Sequence, residues 1–298
     1  MATETIDPRF AELDAWPLVS SIAAMWEGQM AAIAAIGPAL PGIASATAAA
    51  AEALGDRGRL VYVGAGTSGR VAVQDGAELP PTFSWPRERT VFVIAGGEDA
   101  LVASVEGAED DVADAKRQIE QAGVTPADVV ISLSASGTTP FSVAALRQAG
   151  ARGAVTIGIA NNPGGPLLGA AKYPILIETG SELIAGSTRM KAGTAQKVVL
   201  NLISTGIMLR LGRVYRGMMV SMQPANAKLK RRAAAMIARI SGCDDTRAAE
   251  ALERAGGDIK AAALVVLGFE MDEAKAILRR FKGNLRAVFS HIADDRGT

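Results

Sequence analysis

The sequence predicts a doubly wound α/β domain with a mainly parallel, five-stranded sheet, followed by a small helical module. Five short apolar runs, each bounded by glycine or turn residues, are separated by stretches with helical periodicity. Strands that alternate with helices imply parallel pairing through right-handed crossovers. The runs lack the polar alternation of a sheet with one wet face, so both faces of each strand are expected to be covered.

The elements follow from these patterns in chain order. Residues 19–54 carry apolar side chains at helical spacing, interrupted at Gly37 and Pro38, and predict two or three helices. The five predicted strands are residues 58–64, 90–97, 128–137, 154–162 and 173–180. The predicted helices that follow are residues 69–77, 99–122, 139–150, 166–171, 188–213 and 223–241.

Beyond residue 243 the pattern changes to short helices, and a faint repeat relates GGDIKAA (256–262) to KGNLRAV (282–288). In each copy a glycine is expected to end one helix, and Asp258 or Asn284 to cap the next. We therefore expect three parts: N-terminal helices in residues 1–54, a ligand-binding sheet domain in 55–242, and a module of three or four helices in 243–298. The module is expected to serve packing or dimerisation.

Composition limits the partners. Lys plus Arg and Asp plus Glu both number 31, so the net charge of zero gives no electrostatic reason to expect nucleic acid or an acidic membrane. The apolar fraction is 49% but aromatics are only 4%, which predicts an aliphatic core. We expect no secretory signal in MATETIDPRF, no apolar run of membrane-spanning length, and therefore a cytoplasmic protein.

The counts of histidine and cysteine limit the chemistry. His291 is the only histidine and Cys243 the only cysteine, and both are predicted at helix ends. A Ser-His-Asp or Cys-His arrangement could use only that histidine, and a zinc site of the usual Cys/His kind lacks ligands. An enzyme with this sequence is expected to take its acid and base from carboxylates or lysines, without a metal.

The first candidate binding loop is GAGTSGR, directly after the first strand. Gly64, Gly66 and Gly69 fit G-x-G-x-x-G, but a dinucleotide site also needs an acid at the end of the next strand. That strand ends in VIAGG, and Glu98 follows only after two glycines, so the dinucleotide interpretation is disfavoured.

A second such loop, SASGTTP, follows the third strand. Helix N-termini favour anions, and hydroxyl groups add neutral donors, so two loops of this kind predict a phosphosugar ligand. The alternative is that these residues are only helix caps. The candidate ligand contacts in the two loops are Gly66, Thr67, Ser68, Ser134, Ser136, Thr138 and Thr139.

The third candidate segment is GSELIAGSTRMKAGTAQK (180–197), between the last strand and a long helix. Arg189 and Lys191 lie near the start of that helix, where cations oppose the helix dipole. An anionic ligand would relieve this, so Ser187 and Lys191 are candidate contacts, and Glu182 is a candidate partner for sugar hydroxyls. The alternative is a solvated basic turn.

Longer segments resemble a known family. The loops together resemble the sugar isomerase (SIS) domain. VGAGTSGRVAVQDGAELPPTF, VEGAEDD, TGSELIAGSTRMKAGTAQK and GRVYRGMMVSMQPANAKLKRRA resemble the N-acetylmuramic acid 6-phosphate etherases more closely. The resemblance runs from DPRFAELD to the C-terminal module. It implies a SIS-type fold, a homodimer, no cofactor, and removal of D-lactate from N-acetylmuramic acid 6-phosphate during cell-wall sugar recycling in the bacterial cytoplasm.

The resemblance also implies residue roles. Glu78 in DGAELPP matches the family's proton donor, and Glu109 in VEGAED matches its second catalytic glutamate. Arg70 falls in a ligand-binding segment. Four positions depart from the family pattern: Thr138 replaces the usual arginine, Gly76 and Ala77 precede Glu78 where Ala-Ser is usual, and Leu79 replaces a common cysteine.

Two carboxyl groups can supply acid and base if their surroundings separate their pKa values. The prolines after Glu78 suggest an apolar wall, so we expect Glu78 to be buried and protonated, and Glu109 to act as the base. From the residues alone, Glu109 would be a surface residue; Glu106 and Glu182 are the alternatives. The competing functions are a non-catalytic phosphosugar sensor and an aldose–ketose phosphosugar isomerase.

Overall fold

A computed structural model describes residues 1–296, with side chains described to residue 294. The chain forms two compact units. The first contains residues 1–77 and 88–206, and the second contains residues 78–87 and the chain from Ile207 onward. The predicted division into three parts stays a prediction.

The first unit begins with two helices, as predicted: α1 (Leu18–Ala34) and α2 (Leu40–Leu54), with a 3-10 turn at Gly37–Ala39 between them. By length and composition alone, the apolar stretch 18–54 is long enough to cross a membrane, but it is divided into α1 and α2. Each of the two helices is shorter than the roughly 20 residues that a span needs.

Five strands form the predicted parallel sheet. They are β1 (Leu60–Gly64), β2 (Thr90–Ile94), β3 (Val129–Ser134), β4 (Val155–Ala160) and β5 (Tyr173–Leu176), in the order β2-β1-β3-β4-β5. Every residue of the central strands β1 and β3 is buried, as the unbroken apolar runs predict. The register pairs Leu60 with Val129 and Val63 with Ser132.

The remaining helices of this unit are α3 (Gly66–Phe83), α4 (Val112–Gln121), α5 (Pro140–Ala151), α6 (Pro166–Ala170) and α7 (Lys191–Arg210), and the ends of α3 and α7 belong to the second unit. The predicted helix 99–122 is correct only in its second half. Gly107 takes a left-handed conformation (φ 71°), and Asp111 caps α4 by accepting a hydrogen bond from the Asp114 amide. Residues 95–111 instead form a loop with two 3-10 turns.

The second unit contains five helices after Ile207, within the described residues: α8 (Ala227–Ser241), α9 (Asp245–Arg254), α10 (Ile259–Val266), α11 (Met271–Arg280) and α12 (Leu285–Arg296). Asp258 and Asn284 cap α10 and α12, as the repeat predicts. Cys243 follows the end of α8, as expected, and His291 lies within α12, where its ring contacts Phe281. The core is largely aliphatic and alanine-rich.

Candidate active site

The two hydroxyl-rich loops lie side by side at the carboxyl edge of the sheet. They follow β1 and β3, which are adjacent in the order β2-β1-β3-β4-β5. The chain leaves these two strands in opposite directions across the sheet, which creates a crevice at their carboxyl ends. In doubly wound sheets, ligands bind at this switch point.

The first loop is a very tight turn between β1 and α3. Gly66 has a φ of +52°, and a Cβ at Gly64 would lie 2.7 Å from the Gly69 nitrogen, so both positions require glycine. Ser68 is buried and donates a hydrogen bond to Gln196 Oε1 (2.8 Å), while Thr67 is half-buried at the start of the helix. The glycines therefore serve strand–helix packing, and Ser68 joins the loop to α7.

The second loop is closed by its own hydroxyl groups. Ser134 Oγ lies 3.1 Å from Ser136 Oγ and 2.8 Å from Thr139 Oγ1, and it accepts from the Gly137 amide. Thr138 is exposed, and its hydroxyl donates to Ser136 Oγ (2.9 Å). The structure thus brings four predicted site residues together in one ordered cluster before α5 begins.

In the third segment, Glu182 and Lys191 form hydrogen bonds with the protein's own backbone. Glu182 is only 1% exposed, and its carboxylate accepts from the amides of Lys191 and Ala192, both at 2.9 Å. Lys191 Nζ donates to the Ser181 carbonyl (2.8 Å), and burial lowers the Lys191 pKa. The basic start of α7 is therefore balanced by Glu182, and Ser187 lies half-buried just before the helix.

The N-terminal segment packs on the loops that follow β4 and β5. Thr3 is fully buried: its amide donates to Asn162 Oδ1 (3.3 Å), Asn162 Nδ2 donates to its hydroxyl (2.9 Å), and its carbonyl accepts from Gly186. Asp7 accepts from Ser181 Oγ (3.3 Å). Sequence reasoning missed these contacts; DPRFAELD in the family resemblance was the only signal.

The two candidate catalytic glutamates are both exposed. Glu78 lies near the end of α3 and belongs to the second unit; Glu109 lies in the 3-10 turn Ala108–Asp110 of the first. The expectation that Glu78 is buried was wrong for the single chain, because this helix turns Ala77 and Glu78 outward and Gly76 and Leu79 inward. Glu106, the alternative carboxylate, is also exposed.

Arg70 makes its contacts with the segment after β2. Its Nε donates to the Ala100 carbonyl (3.1 Å) and its Nη2 to the Ala103 carbonyl (3.0 Å). The loop that carries Glu109 is therefore tied to the first turn of α3. This partner could not be predicted from the sequence, because every residue type carries the same backbone carbonyl.

A buried carboxylate, Asp75, was also missed. It is 5% exposed and accepts from Tyr62 Oη (2.8 Å), Asn201 Nδ2 (2.7 Å) and Ser204 Oγ (3.0 Å). Burial raises its pKa, which the three hydrogen bonds lower in part. Asp75 thus fixes α3 to β1 and α7 one turn before Glu78.

The family departure at Gly76 has a packing reason. A Cβ there would lie 2.7 Å from a ring carbon of Phe92 and 3.0 Å from the fully buried ring of Tyr62. Leu79, a second departure in this helix, is also buried, whereas Ala77 is exposed. The departures at Gly76 and Leu79 therefore concern the inner face of α3.

Known proteins resemble this chain in fold and in sequence. Residues 42–149 match the glucokinase regulatory protein N-terminal SIS domain, and residues 111–205 match the SIS domain. A phosphoheptose isomerase from Francisella tularensis has the same fold, with a TM-score of 0.51, 19% identity, and coverage of 65% of this chain and 98% of that one. A putative phosphosugar isomerase from Bacteroides fragilis gives a TM-score of 0.50 at 19% identity, covering 67% and 95%.

The sequence relatives extend over nearly the whole chain. The N-acetylmuramic acid 6-phosphate etherase of Deinococcus radiodurans is 47% identical over 287 residues, which are 96% of this chain and 94% of that protein. The etherase of Streptomyces avermitilis is 42% identical over 292 residues, covering 97% and 94%. The chain therefore belongs to the N-acetylmuramic acid 6-phosphate etherase family, with a SIS-type fold.

Proposed function

We propose that this chain cleaves the D-lactyl ether of N-acetylmuramic acid 6-phosphate, giving N-acetylglucosamine 6-phosphate and D-lactate in cell-wall sugar recycling. The observation that carries the proposal is the near-full-length identity to etherases, 47% in the Deinococcus radiodurans relative. These relatives do not favour the sensor or the isomerase alternative.

The phosphate is assigned to the crevice between the loops after β1 and β3. Both loops lead into helices, α3 and α5, and the free amides at a helix N-terminus favour an anion. The N-cap of α5, Thr139, makes no side-chain cap hydrogen bond among the described contacts, so amides at that terminus can serve a ligand. Thr67, Ser136 and Thr138 add hydroxyl groups at the rim.

The chemistry needs one base and one acid. In the open-chain sugar, the hydrogen on C2 is alpha to the C1 aldehyde, so a base can remove it and the charge spreads onto the aldehyde oxygen. The C3–O bond then breaks, and an acid gives lactate its proton. Water adds its hydroxyl to C3, and a proton returns to C2. We assign the base to Glu109 and the acid to Glu78, each contributing about 10²–10⁴-fold.

Isotope exchange tests these roles. Wild-type protein turning over N-acetylmuramic acid 6-phosphate in deuterated water should release D-lactate and incorporate deuterium at C2. Glu109→Gln should lose both signals, whereas Glu78→Gln should lose lactate release and retain C2 exchange. Glu250→Gln, at an exposed position on α9, is the matched control and should behave as wild type. Wild-type turnover without deuterium at C2 would refute the elimination route.

We further propose that the chain works as a homodimer through α1. Its large apolar side chains recur every three or four residues yet remain exposed, from 44% at Ile33 to 76% at Val19. A continuous apolar helix face of this kind is typical of a subunit interface. The exposed residues of this face are Leu18, Val19, Ile22, Trp26, Met30 and Ile33.

Sedimentation equilibrium tests the dimer. Trp26→Glu, which puts a charge in the middle of the face, should yield monomers, while Glu27→Gln on the same helix should remain dimeric. A monomeric wild-type protein at micromolar concentration would overturn the proposal.

We also propose a cytoplasmic location, as the family resemblance implies. The supporting features are the single cysteine and the phosphorylated substrate. Fractionation of cells that express the full chain, with detection in the cytosolic fraction, is the test; recovery with the membranes would contradict it.

A further inference from the structure

The side chain of Arg70 spans from α3 to the loop that follows β2. Its Nε and Nη2 donate to the carbonyls of Ala100 and Ala103, at 3.1 and 3.0 Å. The two acceptors lie three residues apart, at the end of the 3-10 turn Glu98–Leu101 and just after it. A planar guanidinium has donors in a fixed fork, so it can hold two carbonyls at once where an ammonium is a single point charge.

The loop that Arg70 holds has little else to order it. Ala100 is buried, but residues 102–107 are exposed, including Val102 at 91%. Inside the loop, the side chain of Val105 packs against Gly96. Loops with few buried contacts open at a low free energy, so each remaining hydrogen bond contributes much of what holds them in place.

Glu109 lies at the far end of this loop, in the turn Ala108–Asp110 directly before α4. On one side, α4 fixes the segment through the Asp111 cap. The turn itself is anchored by Ala108, which packs on the buried core of the first unit, and by contacts with α5. Before the turn, the exposed segment 102–107 is held by β2 and by the two hydrogen bonds that Arg70 makes from near the start of α3, so the approach of the chain to Glu109 depends on Arg70.

We infer that Arg70 is a positioning residue for Glu109, and not a phosphate ligand as its place in the first loop suggests. The inference rests on the proposed function, because it assigns Glu109 the work of the base. A misplacement of about 1 Å can cost about 10²-fold in rate. Loss of the tie is therefore expected to lower kcat by about 10- to 100-fold and to leave substrate binding nearly unchanged.

Two variants test this inference against the phosphate-ligand alternative. Arg70→Met removes both donors and keeps an apolar stem of similar length; Arg70→Lys can still donate to a carbonyl and should recover part of kcat. Arg147→Met, at an exposed position on α5, is the control. In Arg70→Met, KM and the competitive inhibition constant of inorganic phosphate should stay within about 2-fold of wild type.

Hydrogen exchange gives a readout that does not need activity. Amides of residues 98–110 should exchange faster in Arg70→Met than in wild type, with α5 amides unchanged. If Arg70→Met shows the faster exchange but the wild-type protein releases no lactate, the structural role of Arg70 stands and only the proposed function is refuted. The positioning role would be overturned if the exchange in Arg70→Met were unchanged. It would also be overturned if the variant kept a normal kcat but had a raised KM and a raised inhibition constant for inorganic phosphate. If Arg70→Met fails to fold, Arg70→Lys carries the same comparisons.

Discussion

The carboxylate of Glu182 is predicted to hold the start of α7 and not the sugar. Both oxygens are used: Oε2 accepts from the Lys191 amide and Oε1 from the Ala192 amide, each at 2.9 Å. Glu182→Gln keeps the shape of the side chain but supplies only one acceptor oxygen. One of the two amides would then face an NH₂ donor inside a site that is 1% exposed at Glu182.

The magnitude follows from two losses. A hydrogen bond to a charged group contributes about 1.5–3 kcal/mol. A carboxylate at a helix N-terminus adds about 0.3–1 kcal/mol through the helix dipole, and more when partly buried. Together these predict a destabilisation of about 2–4 kcal/mol, which for a unit of this size lowers Tm by about 5–15 °C.

The Tm from differential scanning calorimetry and the KM from lactate release together distinguish the two possible roles of Glu182. Glu178→Gln is the matched control, because it makes the same change in the same loop at an exposed position. Glu182→Gln should unfold at lower temperature than both wild type and the control. A variant with wild-type Tm and a raised KM would refute this reasoning and restore the sequence-based prediction that the carboxylate binds sugar hydroxyls.

Three further predictions follow from other sites. Asp75→Ala leaves the buried donors of Tyr62 and Ser204 and the half-buried donor of Asn201 without their acceptor, and should destabilise the protein by several kcal/mol, about 1–3 for each buried group, measured by urea unfolding at pH 7. Burial lowers the pKa of Lys260 from 10.5 to about 8, so the unfolded chain binds more protons between these values and stability should rise with pH across that window. Across this window the free energy of unfolding should rise by at most about 3 kcal/mol in wild type and by less in Lys260→Met; the same pH profile in both proteins would contradict the role of Lys260. Thr138→Arg restores the charge usual in the family at an exposed position and should lower KM at constant kcat, measured by lactate release; an unchanged KM would place position 138 away from the phosphate.

Elements with a complete local signal could be predicted from the sequence. β1 and β3 are uninterrupted apolar runs between glycines or turns, and burial of a strand on both faces leaves just that pattern. Asp258 and Asn284 were identified as caps because a cap acts on amides two or three residues away. In each case the interacting groups are close in sequence.

The helix predicted at 99–122 fails for a local reason that could have been read. Gly107 interrupts the pattern, and Asp111 precedes Asp114 by the spacing of a cap and the amide it binds. Two apolar residues of the first half, Val102 and Val105, are exposed. Their spacing therefore reflects no buried helix face.

The residues of the site show a different limit. Ser68 and Glu182 are candidates because hydroxyl and carboxylate groups suit a phosphosugar, and Arg70 is one through the family resemblance. The same groups also suit partners within the protein: a glutamine side chain for Ser68, backbone carbonyls for Arg70 and backbone amides for Glu182. Their partners lie 128 residues away for Ser68 and 30 and 33 for Arg70. The local sequence pattern predicts the two loops that these residues support, but it carries no information about partners that are distant in sequence.

These internal contacts strengthen the assignment of the crevice as a binding site. A ligand that meets ordered groups loses less free energy to fixing them than one that meets mobile side chains. The hydroxyls of Ser134 and Thr139 are held within the second loop, and Ser68 and Glu182 fix the first loop and the start of α7. Side chains that do not themselves touch the phosphosugar can therefore set how tightly it binds. This is the physical reason that polar residues at a carboxyl edge can belong to a site and still have all their visible partners in the protein.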